Sequence, residues 1–89
     1  MAWTIEWSKA ADRDLEALGH QERQRIVAFM EHRIGAMTDP RDVGEKLTGP
    51  KLGHLWKYRV GDYRILTSIE DKILKILVVK VGNRREIYR

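Results

Sequence analysis

The sequence predicts an α+β fold, with two N-terminal helices packed on a four-stranded antiparallel sheet in the order β-α-α-β-β-β. Three observations lead there. Trp3, Ile5 and Trp7 alternate with Thr4, Glu6 and Ser8, a period of two that marks a strand. Apolar residues then recur at helical spacing as far as Met37. From Leu55 onward the chain reads as apolar runs separated by turn residues.

Each element has its own signal. Ser8 is placed to cap the first helix, which carries Ala11, Leu15 and Leu18 on one face, and Gly19 is placed to end it. A second helix is expected over residues 21–36. Ile26, Met30, Ile34 and Met37 form its apolar stripe, and Glu22, Gln24, Arg25 and Glu31 its polar face. Residues 38–53 read as loop, with turn signals at Asp39-Pro40 and Gly49-Pro50, and with Leu47 and Leu52 as anchors to the core. Strands are expected at 55–60 and 63–69, joined by a two-residue hairpin turn at Gly61-Asp62 whose residue types favour type II′. Glu70-Asp71-Lys72 makes the next turn. Residues 73–81 form a long apolar strand that Gly82-Asn83 ends, and 84–89 is a short tail or strand fragment.

The 89 residues fit one domain, 1–89, with room for one core. Apolar residues make up 43%, which excludes a disordered chain. The absence of cysteine excludes disulfides and thiolate metal sites and fits a cytoplasmic protein. No run approaches the ~20 apolar residues of a membrane span, and the charged opening segment is unlike a signal peptide. His20, His32 and His54 are scattered, so no metal-ligand spacing arises, and no phosphate-binding glycine loop followed by Lys-Ser/Thr is present. No cofactor and no metal are expected.

Charge is unevenly placed. Residues 1–50 hold seven Lys/Arg and nine Asp/Glu; residues 51–89 hold ten and four. The net charge of +4 therefore comes from a basic second half, which points to a polyanionic partner. A two-residue turn at Gly61-Asp62 would set Arg59 opposite Arg64 and Lys57 opposite Leu66. Lys57, Arg59 and Arg64 would then share one face. Like charges directly opposed across strands are destabilising, and a bound phosphate would relieve them. The alternative is a solvated face whose long side chains splay into water. Arg84 and Arg85 follow the long strand, and Tyr88 near the terminus offers a ring that could stack on a base.

The stretch from Leu55 to Ile65, reading LWKYRVGDYRI, and the close from Val79 to Arg89, reading VKVGNRREIYR, resemble the RelE family of toxins within the RelE/ParE superfamily. The opening segment and the Leu47-to-Leu52 loop are also similar, so the resemblance spans nearly the whole chain. It implies a toxin of a type II toxin–antitoxin system that cleaves messenger RNA on the ribosome without a metal. It also implies a cognate antitoxin partner in a heteromeric complex. By position, Lys57, Arg64, Arg84 and Tyr88 match the family's catalytic residues. Arg59, Arg85 and Asn83 are RNA- or phosphate-binding candidates. Two positions depart from relatives: Leu55 stands where some carry a second lysine, and Asn83 where many carry histidine. Asparagine donates hydrogen bonds but moves no proton near neutral pH.

The expected mechanism is attack of the RNA 2′-hydroxyl on the adjacent phosphorus. Neighbouring cations would lower the Lys57 pKa enough for it to act as base, while Arg64 and Arg84 clamp the phosphate. Two other functions fit the same fold or charge: a ParE-like poison of DNA gyrase, and a nucleic-acid-binding module without catalysis.

Overall fold

The computed structural model describes residues 3–88. Its first strand, β1 (Thr4–Trp7), turns its apolar positions inward as the alternation requires. Ser8 caps helix α1 (Lys9–Glu16) as expected: its Oγ accepts from the Ala11 amide at 3.0 Å and donates to the Val79 carbonyl at 3.2 Å. α1 buries Ala11 and Leu15. Gly19 does not end this helix but opens the next, its carbonyl accepting from the Arg23 amide. Helix α2 (His20–Ala28) continues into a wider π-helical turn, Phe29–Ile34, rather than running regularly to residue 36. That turn keeps Met30 and Ile34 fully buried, and it presents the Gly35 carbonyl to the Trp3 amide at 2.6 Å.

After a short 3₁₀ turn, Pro40–Asp42, the chain forms β2 (Glu45–Lys46), β3 (Trp56–Val60) and β4 (Tyr63–Glu70). A second 3₁₀ turn, Asp71–Ile73, leads to β5 (Lys75–Asn83). Among the described residues the sheet has five strands in the order β1-β5-β4-β3-β2 and is mixed, which corrects the expectation of four antiparallel strands. β1 lies parallel to β5, with Ile5 opposite Ile76. The helices carry the chain across the sheet between β1 and the hairpins, so β1 re-joins at the edge running in the same direction as β5. Past Trp7, the Asp14 carboxylate of α1 takes over as acceptor for the Val81 amide at 2.9 Å. β2 lies inside the expected loop; two residues are too short to show a period.

The helices cover one sheet face. There the main core joins Ala11, Leu15, Ile26, Met30 and Ile34 to Tyr58, Val60, Ile65, Ile76, Val78 and Val81. The other face carries a smaller cluster, Leu55, Leu66 and Ile87, against which Leu47, Leu52 and Val79 pack. The two expected loop anchors thus hold to this second cluster.

Candidate functional site

The site starts from the β3–β4 hairpin. Gly61 adopts φ +59°, while Asp62 does not enter the left-handed region, as a turn of the expected type requires. The register follows: Val60 pairs Tyr63, Arg59 pairs Arg64, and Lys57 pairs Leu66. Tyr58, Val60 and Ile65 point to the helices, so Lys57, Arg59 and Arg64 occupy the opposite face. The opposed arginines splay. Arg64 Nη1 donates to the carbonyls of Gly61 and Tyr63, each at 3.0 Å, while Arg59 stays exposed.

The chain's last residues complete the site. Residues 84–88 form a turn, not a strand fragment, and Arg89 lies outside the described residues. Asn83 organises this turn. Its side-chain oxygen accepts from the Arg85 amide at 3.0 Å, and its carbonyl accepts from the amides of Glu86 and Ile87. The Arg84 amide donates to the Asp62 carbonyl at 2.9 Å, tying the turn to the hairpin. Ile87 then inserts into the second cluster with 1% of its surface exposed. It lies so close over Gly82 that a β-carbon there would meet Ile87 Cδ1 at 3.0 Å. This insertion carries Tyr88, 53% exposed, to Lys57, whose Nζ lies 5.9 Å from the ring centroid.

Lys57 has an acidic partner: its Nζ lies 3.3 Å from Glu45 Oε1 on β2, and the Tyr88 ring stands on its other flank. Glu45 is held there by the loop before it. Arg41 makes a two-pronged contact with Asp71, at 2.9 and 2.7 Å, and stacks over Trp56 at 5.7 Å. The Tyr58 hydroxyl donates to the Pro40 carbonyl at 2.6 Å, and burial pushes this phenol up to about 12. The bond from Arg41 holds the Asp71 carboxyl below its ordinary value.

Lys57 and Tyr88 are thus brought together, and Arg59 with Arg64 shares their face. Arg84 sits at the hairpin turn, and Arg84 and Arg85 are both exposed. Asn83 points into its own turn. Leu55 is buried in the second cluster beside Leu66 and Ile87. Sequence reasoning missed Glu45 and the anchoring role of Ile87. The second had a signal, an apolar residue alone in a polar tail; Glu45 had none. Among the described residues, no group of three or more His, Asp or Glu side chains is placed to hold a metal ion.

Residues 5–88 match the family model described as the ParE toxin of the type II toxin–antitoxin system parDE. Over its whole length the chain is 32% identical to Toxin RelG of Mycobacterium tuberculosis, covering 99% of that protein. The chain belongs to the RelE/ParE superfamily of type II toxins. Its structure is similar to that of the RelBE2 toxin–antitoxin complex of M. tuberculosis, with TM-score 0.85 and 26% identity over 97% of this chain and 95% of that one. The fold also matches the archaeal RelE–RelB complex of Pyrococcus horikoshii, with TM-score 0.72 and 23% identity over 97% and 99% of the two chains.

Proposed function

We propose that this toxin is a ribosome-dependent, metal-independent messenger-RNA endonuclease, held inactive in the cytoplasm by a cognate antitoxin. The observation that carries the reading is the contact of Tyr88 with Lys57 on the basic face, built by an insertion that costs the tail its freedom. An exposed aromatic ring beside a cation offers a base a stacking surface next to the phosphate that follows it. On this reading Arg64 and Arg84, both held at the Gly61-Asp62 hairpin turn, turn their guanidinium groups to the phosphate oxygens when RNA binds.

In-line attack forms the bond from the 2′-oxygen to phosphorus as the bond from phosphorus to the 5′-oxygen breaks, leaving a 2′,3′-cyclic phosphate and a 5′-hydroxyl. It needs an acceptor for the 2′-hydroxyl proton, positive charge for the phosphorane, and a proton from water for the departing 5′-oxygen. The Glu45–Lys57 pair holds the first two: a carboxylate as acceptor and an ammonium as stabiliser. This shifts the base role from Lys57 towards Glu45. The ribosome supplies the ordering of the message. Partnership with an antitoxin is supported by the family and by the RelB-bound state of both structural relatives.

The ParE description of the family model favours a second reading, a gyrase poison of the same fold. Message cleavage in a reconstituted translation reaction, with and without ribosomes, separates the two. We expect cuts within codons that require ribosomes and disappear in Arg84→Ala. Intact message in every lane, with gyrase inhibited, establishes the second reading instead.

A further inference from the structure

Beside the Lys57–Tyr88 pair the sheet edge opens. β2 covers only Trp56 and Lys57 of β3. Past its end lies a cleft of about 330 Å³ lined by Phe29, Arg33, Val43, Glu45, Lys57 and Arg59. It runs from the π-helical turn, which supplies Phe29 and Arg33, to the basic face of β3. The Arg33 guanidinium lies 5.6 Å from the Phe29 ring centroid, and Phe29 is braced edge-on against Tyr58 at 6.3 Å. Within the cleft the single carboxylate, Glu45, is engaged by Lys57. Among the described residues neither Arg33 nor Arg59 has an ion-pair partner. Two uncompensated guanidinium groups in one concavity are suited to forked binding of a phosphate. The half-buried Phe29 ring gives the same concavity an apolar wall.

We infer that Arg33 and Arg59 form a second phosphate subsite, which holds the RNA backbone beside the scissile phosphate and leads the strand around the edge of β3. This rests on the RNA-cleaving reading for its ligand class. Continuity favours RNA here, because Lys57 belongs to both the cleft and the contact with Tyr88. A strand seated at Lys57 has its neighbouring phosphate within the cleft's reach.

The test is binding of a 2′-O-methyl oligoribonucleotide, which lacks the attacking hydroxyl, to the full chain across a salt series. Arg33→Ala is compared with Arg23→Ala, a change that removes the same charge from α2 outside the cleft. We expect Arg33→Ala to weaken binding about tenfold at fixed salt. It should also flatten the salt slope by about 0.7 for the lost phosphate, with Arg23→Ala near wild type. Equal binding by wild type and Arg33→Ala overturns the inference, as does an equal loss in both variants. Loss of poly-glutamate binding in Arg33→Ala with oligonucleotide binding intact also overturns it, and makes the cleft a protein-docking site. Cleavage that needs Lys57, alongside binding indifferent to Arg33, defeats the subsite and leaves the endonuclease standing. Arg33-dependent binding without any cleavage does the reverse.

Discussion

Lys57 shows how a side chain's role depends on a neighbour far along the chain. Its register and face could be read from the hairpin, because a two-residue turn and strict alternation leave one solution. Its partner Glu45 could not, since the contact joins a two-residue strand to β3 across an irregular loop. The pairing divides the chemistry between two side chains and can be tested on each. Lys57→Ala and Glu45→Gln are both expected to lower single-turnover message cleavage by about 10²–10⁴-fold, the usual range for a positioned acid–base group. A Glu45→Gln variant that keeps the full rate would return the proton to Lys57. Asn83 carries a similar lesson. Its side chain closes the turn by accepting from the Arg85 amide, a task that moves no proton.

Two short elements place these side chains, and neither has a periodic signature. In the closing turn, Ile87 provides the hydrophobic anchor and Gly82 the room beneath it. Ile87→Ala should cost about 2–5 kcal/mol in urea unfolding, as truncation of a buried isoleucine does. It should also release Tyr88 from Lys57, so cleavage falls even at temperatures where the chain stays folded. Full activity in a folded Ile87→Ala chain would show that the turn does not position Tyr88. The loop before β2 is held by Arg41 and Asp71, an exposed pair worth little to global stability but local in its effect. The folded Asp71 carboxyl titrates below its unfolded value of about 3.9. Its hold on the loop is therefore complete above that pH and is lost as pH falls through the lower folded value. The Trp56 indole resonance, beneath Arg41, should stay constant from pH 7 to 5 and shift only in that acid range. Asp71→Asn should abolish this titration; an unchanged shift would assign it to another group.

Across the whole molecule, helices, hairpin and core were legible because each repeats a period that burial enforces. Strand direction at β1 was not, because alternation marks a face and says nothing of which neighbour runs beside it. Charge was legible in amount, and the fold gives it a place. The helices take one side of the sheet, so the basic residues of β3 and β4 and the closing turn gather on the other. That segregation separates the nucleic-acid and gyrase readings without any cleavage assay. When a protein's cations release counterions from a bound polyanion, the logarithm of its affinity falls linearly with log salt, at about 0.7 per phosphate for a single strand. A protein target docked through an apolar or mixed surface depends on salt far less steeply. Oligoribonucleotide binding between 50 and 200 mM salt should therefore give a slope of about −2, from about 0.7 for each of the three cationic contacts made by Lys57, Arg64 and Arg84. Each single alanine variant should flatten it by about 0.7. A slope near zero, with tight binding to gyrase that survives the salt change, would move the function from RNA to a protein surface.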